Sequence, residues 1–170
     1  MDERRSRFRA WAGTLLFLLL APGVVAGVIP WLITQWRIPE WGAWLWLVLP
    51  VAGVLILAGV AFLLTSFVRF ALAGGTPAPP EPTQRLVVEG PYRYVRNPMY
   101  LAVSSIILGQ VVLFASWWLL GYLLVVLLAV VVFVRGYEEP TLERTYGDQY
   151  RRYRRNVPGW WPRRTPWEGG

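Results

Sequence analysis

The sequence predicts an all-α integral membrane protein: four transmembrane helices, the last two a tight hairpin, and a C-terminal amphipathic interfacial helix. Three observations carry this. Hydrophobic residues make up 55% of the 170 residues and gather in long runs nearly free of charge, a composition that soluble domains do not carry. All 17 basic residues are arginine, and with four spans threaded from a cytoplasmic N-terminus only Arg37 falls outside. Tryptophans crowd the borders of the runs, as an interfacial belt does. At this length the whole chain, 1–170, reads as a single membrane domain.

The first span is expected over residues 10–33, after Arg4, Arg5, Arg7 and Arg9, with a kink or break near Pro22-Gly23 and with Trp11 and Trp31 near the two interfaces. The run is longer than the apolar core of a signal peptide, and further spans come after it. A short loop holding Arg37, Pro39 and Glu40 leads to the second span, 44–70, in which Gly53 and Gly59 are candidates for close helix approach. Residues 71–98 form a cytoplasmic loop, and its stretch Gly74 to Pro82, dense in glycine and proline, is a stiff linker. Leu86-Val87-Val88 then reads as a short extended piece.

From Met99 to Val134 about 36 residues carry no charge. A single straight helix would run ~54 Å at 1.5 Å per residue, too long for a core of ~30 Å. The run must therefore fold back, and Ser116 is the predicted break between spans 99–115 and 117–134. Gly109 and Gly121 mark candidate close packing within that hairpin. The tail, 135–170, is cytoplasmic; there Leu142, Tyr146, Tyr150, Tyr153 and Val157 keep helical spacing from Pro140 to Pro158, with arginines on the flanks. Such a helix is expected to lie on an anionic membrane surface.

Cysteine and histidine are both absent, which excludes disulfides, thiol nucleophiles, cysteine- or histidine-ligated metals and the usual general base near neutral pH. The net charge of +7 would suit nucleic acid, but the arginines flank apolar spans, so topology accounts for them and no nucleic-acid partner is expected.

Two polar features stand out. One is Gly90-Pro91-Tyr92-Arg93-Tyr94-Val95-Arg96-Asn97-Pro98-Met99-Tyr100, where two prolines shape the backbone immediately before the hairpin. Its simplest reading is a basic interfacial loop with tyrosine anchors. The other is Glu138-Glu139 at the end of the last span. These acids either pair with arginines and serve the first turn of the next helix, or hold a cation beside the membrane. The topology puts both features on one cytoplasmic face.

Together, and with Tyr146-Gly147, Tyr150, Tyr153 and Val157-Pro158 behind them, these blocks resemble the isoprenylcysteine carboxyl methyltransferase family and the related phospholipid N-methyltransferases. The resemblance covers about residues 85–162. The family pattern Arg-His-Pro-x-Tyr-x-Gly is represented by Arg96-Asn97-Pro98-Met99-Tyr100-Leu101-Ala102, so Asn97 replaces the histidine and Ala102 the glycine. Asparagine can still donate and accept hydrogen bonds but does not titrate. The resemblance implies S-adenosylmethionine as methyl donor, bound without a Rossmann domain. It places Arg96, Asn97, Pro98, Tyr100, Glu138 and Glu139 at the cofactor. Tyr92 and Arg93 join them on charge and ring chemistry: a glutamate for the donor's ammonium, Arg93 or Arg96 for its carboxylate, tyrosine faces for the sulfonium or adenine. Glu138, Glu139 and Arg96 are the candidates for a catalytic role. A lipid-like or hydrophobic small molecule is the expected acceptor, in contact with membrane lipid. Two other readings stay open at this point: a steroid-reductase-type enzyme using NADPH, and a non-enzymatic scaffold with a basic lipid-binding tail.

Overall fold

The computed structural model describes residues 20–72 and 86–169. Among them every regular element is helical. The first helix, α1 (Leu20–Thr34), contains a π-helical turn at Val24–Val28; α2 is Leu45–Leu72, α3 Pro98–Phe114, α4 Trp117–Phe133, α5 Glu139–Tyr146 and α6 Asp148–Asn156. Among the described residues two helical stretches are long and apolar enough to cross a membrane, Gly42–Arg69 and Trp117–Tyr146, and Leu20–Thr34 and Pro98–Phe114 are shorter apolar helices. The expected start of the first span, with Trp11, and the linker from Gly74 to Pro82 lie outside the described residues.

The hairpin turns where the apolar run demanded it. Ala115 ends α3 in the left-handed conformation, and the Ser116 hydroxyl accepts the backbone N–H of Leu119 at 3.3 Å to start α4. Trp117 and Trp118 at this tip are 83% and 84% exposed, the position of an interfacial anchor. The Trp41 indole closes the same end by donating to the Leu113 carbonyl at 3.0 Å.

α2 and α3 form the most extensive helix pair. They approach so closely that a Cβ on Gly59 would sit 2.8 Å from the Ala102 carbonyl oxygen, and one on Gly109 would sit 2.9 Å from that of Ala52. Gly59 thus has the expected role. Gly109 serves it against α2 rather than within the hairpin, and Gly53 and Gly121 have nothing within 4 Å. Leu63 and Phe67 of α2, Ile106 and Ile107 of α3 and Leu119 and Leu123 of α4 make the core of the bundle.

Near Pro22-Gly23 the irregularity in α1 is a π-turn: Gly23 itself is helical, and the turn follows at Val24–Val28. The carbonyls that this turn loosens are held from neighbouring helices, Ala26 by Gln110 Nε2 at 2.7 Å and Val25 by the Tyr122 hydroxyl at 2.8 Å. The tail is not one helix, because Gly147 at φ 52°, ψ −123° separates α5 from α6. Nor does its apolar face lie on the membrane. Tyr150, Tyr153 and Val157 are 2%, 3% and 1% exposed, packed with Leu142 and Tyr146 and covered by Leu86, Val88 and Trp167. The aromatic stripe is a small core of its own, and it binds the tail to the polar loop.

Candidate active site

The loop before α3 is shaped by its prolines. Gly90 takes φ 56°, Pro91 opens a 3-10 turn over Gly90–Arg93, and Pro98 stands in the first turn of α3. The tail then grips the loop from outside. The Arg96 N–H donates to the Pro158 carbonyl at 2.9 Å, Arg163 N–H to Tyr94 at 2.9 Å, and Trp167 N–H to Arg93 at 3.0 Å. The Tyr153 hydroxyl donates to the Tyr92 carbonyl at 2.7 Å. These bonds fix a backbone that the prolines leave without a ladder of its own.

Across from the loop, α4 runs through a π-helical turn, Val134–Glu138, into α5. The extra residue of such a turn shifts the register of the helix beyond it, and π-turns recur at functional sites. Glu138 and Glu139, adjacent and so about 100° apart around the helix axis, go to different partners. Glu139 Oε1 accepts Arg96 Nη1 at 2.6 Å, and its Oε2 lies 3.3 Å from Arg154 Nη2. The side chains of Arg96 and Glu139 are only 14% and 12% exposed. Arg96 Nη1 also reaches the Tyr150 hydroxyl at 3.1 Å. Glu138 instead accepts the Tyr100 hydroxyl at 2.9 Å.

Between loop and helices lies a cavity of about 310 Å³, within the range of small-molecule sites. Its lining is part polar, from Tyr92, Arg96, Asn97, Tyr100 and Glu138, and part hydrocarbon, with Val25 from α1, Phe67 from α2, Val103 from α3 and Val126 from α4. Of the residues expected at a cofactor, Tyr92, Arg96, Asn97, Pro98, Tyr100 and Glu138 line this space. Glu139 stands behind them as the partner of Arg96. Arg93 does not line it: its Nε donates to the Trp167 carbonyl at 2.8 Å, so it belongs to the clamp on the tail.

Asn97 occupies the N-cap of α3 without using its side chain as a cap. It is 7% exposed, and its Nδ2 has no hydrogen-bond partner; nor has Arg96 Nε. Two adjacent buried donors left open are rare in native structures, and a ligand accepting from them would satisfy both. Burial pushes the Tyr92 hydroxyl well above its ordinary range, and Tyr150 and Tyr153 likewise, so none of these phenols ionises near neutral pH.

A model of the phospholipid methyltransferase family matches residues 47–149, more than half of the chain. The chain belongs to the phospholipid methyltransferase family. It is thereby a methyltransferase of the membrane group that includes the isoprenylcysteine carboxyl methyltransferases, a family that acts on phospholipid or lipid-like substrates. No curated protein and no solved structure matches it. The family match spans α2, the polar loop, the hairpin and α5, hence most of the cavity. It leaves out α1, which supplies Val25, and everything after Gln149, which supplies Tyr150 and the clamp on the loop.

Sequence reasoning quoted Tyr150 and Pro158 within the family blocks but missed the part played by α1 and the backbone clamp. α1 carries no motif, and its place in the cavity depends on contacts made by Gln110 and Tyr122. The clamp is made of backbone bonds, which the types of residue 158, 163 and 167 do not announce.

Proposed function

We propose that this methyltransferase is a multi-pass, four-span membrane enzyme with both termini cytoplasmic. It takes its methyl group from S-adenosylmethionine at the cytoplasmic face and passes it to a lipid-like or other hydrophobic acceptor. The observation that carries the reading is the mixed lining of the cavity, in which Glu138 and the residues with unpartnered donors, Arg96 and Asn97, stand beside hydrocarbon from four helices.

The residues present fit the donor. Glu138 would take its ammonium, and Arg96 Nε with Asn97 Nδ2 its carboxylate, the charge-assisted bonds those groups need. When bound, the donor supplies an electrophilic methyl group on a sulfonium. What the chain contributes is alignment and exclusion of water, the main sources of rate for an in-line displacement at carbon. Tyr100 orients the Glu138 carboxylate, and Glu139 with Tyr150 fixes the Arg96 guanidinium. A carboxylate acceptor needs no base. An amine acceptor must be unprotonated, and with Glu138 on the donor's ammonium and Glu139 engaged by two arginines its proton goes to water.

The NADPH reading is less well supported. A nicotinamide dinucleotide needs several cations for its phosphates, whereas Arg96 is the arginine at the cavity and is already paired. The test is to incubate purified protein with lipid extract and methyl-labelled S-adenosylmethionine and to resolve products by mass. A labelled lipid or hydrophobic product, lost in Glu138→Gln, is expected. Absence of labelled product across extracts, or transfer of hydride from NADPH to an extract component, would overturn the proposal.

A further inference from the structure

We infer that Gly159 is a positioning residue for the donor-binding groups of the cavity. Its missing side chain lets the C-terminal strap seat directly on Arg96 and Asn97. The inference rests on the methyl-donor reading above and concerns a position beyond the family match, which ends at residue 149.

A Cβ built on Gly159 would stand 3.2 Å from Arg96 Nη2 and 3.5 Å from Asn97 Nδ2. The first distance is tighter than ordinary van der Waals contact, so a methyl group there must displace something. The backbone on both sides resists. Immediately before Gly159, the Pro158 carbonyl holds the Arg96 N–H at 2.9 Å. Beyond it, Arg163 and Trp167 hold the carbonyls of Tyr94 and Arg93, and the Trp167 ring packs on that of Tyr153 at 5.7 Å between centroids. The strap is thus fixed at both ends. The guanidinium is the softer side, although Glu139 and Tyr150 hold it. A side chain at 159 therefore moves the Arg96 guanidinium by tenths of an ångström while the clamp stays closed, whereas Asn97 at 3.5 Å is in ordinary contact. Arg96 Nε has no partner in the protein, so the displacement is felt by the ligand as well as by the bonds that Nη1 makes to Glu139 and Tyr150.

The experiment compares wild type, Gly159→Ala and Gly159→Val in detergent by three readouts. These are calorimetric affinity for S-adenosylmethionine, KM for the acceptor, and the Nε–H resonance of Arg96 in arginine-labelled protein, assigned by its loss in Arg96→Lys. The expected result is a graded loss of donor affinity, several-fold for alanine and upwards of about tenfold for valine, because small misplacements of positioning groups weaken binding steeply. The acceptor KM stays within about twofold, the Arg96 resonance shifts, and the melting temperature is held. Donor affinity unchanged in both variants overturns the inference. So does a loss that tracks unfolding or raises both constants equally, which marks a merely structural glycine. If wild type itself does not bind the donor, the proposed function fails instead. The resonance then decides only whether Gly159 sets the position of Arg96: shifted in Gly159→Val it does, unshifted the inference falls as well.

Discussion

Arg96 and Glu139, 43 residues apart in the chain, meet at 2.6 Å with both side chains largely out of solvent. Their neighbours Asn97 and Glu138 are thereby left facing the cavity. The ion pair joins the loop before the hairpin to the helix after it, and under the proposed function it divides two adjacent glutamates into a structural one and a ligand-binding one.

That division predicts opposite phenotypes. Glu139→Ala strands a mostly buried guanidinium and should cost roughly 3 kcal/mol of stability, as breaking such pairs does. Glu138→Gln keeps shape and the Tyr100 contact and should leave the melting temperature nearly unchanged while removing donor binding. Thermal melts in detergent, run beside donor titrations, check both.

Tyr100→Phe removes the hydroxyl that holds Glu138 at 2.9 Å. Donor affinity should fall about tenfold, corresponding to the loss of a hydrogen bond to a charged group. Acceptor KM should stay constant. A weakened acceptor with an unaffected donor would place Tyr100 at the other ligand.

Val126 is part of the cavity's hydrocarbon lining. Val126→Phe should raise the acceptor KM and narrow the acceptor range to smaller molecules while leaving donor binding intact. Kinetics with acceptors of graded apolar length measure this.

Gln110 ties α3 to the π-turn of α1 at 2.7 Å. Gln110→Leu frees the Ala26 carbonyl and should cost about 1 kcal/mol, the usual scale of interhelical hydrogen bonds in membranes. It should also loosen α1, the wall carrying Val25, so the acceptor KM rises with the loss of stability.

The buried phenols give the pH dependence. Tyr92 and Tyr153 both ionise above their ordinary range because of burial, whereas an unfolded tyrosine titrates near about 10. Their contribution to stability is therefore complete below pH ~10 and is lost as pH rises beyond it toward the folded values. Melting temperature in detergent should be flat through neutral pH and fall in strong alkali. Tyr153→Phe, which also loses the bond to the Tyr92 carbonyl, should start lower and fall less steeply.

Much of this is legible from residue types. The hairpin break at Ser116 comes from span length, since no bilayer accommodates the run as one helix. The meeting of Arg96 and Tyr100 with Glu138 and Glu139 comes from topology, because arginine counting puts both blocks on one face. The tail's aromatic residues read correctly as a face, but their burial does not show in the spacing: an amphipathic stripe marks which residues avoid water, and lipid or protein covers it equally well. Here Leu86, Val88 and Trp167 do so. Which arginine enters the cavity is also out of reach of residue types. Arg93 and Arg96 are three residues apart, and only the clamp on Arg93 by Trp167 separates them.

The most direct measurement is isothermal titration of S-adenosylmethionine into purified, folded wild-type protein and into Glu138→Gln. Saturable binding to wild type, and none to a Glu138→Gln protein with the same melting temperature, is the predicted result. No binding to folded wild type at millimolar donor, or equal binding to both proteins, would contradict the assignment of the polar lining of the cavity to the methyl donor.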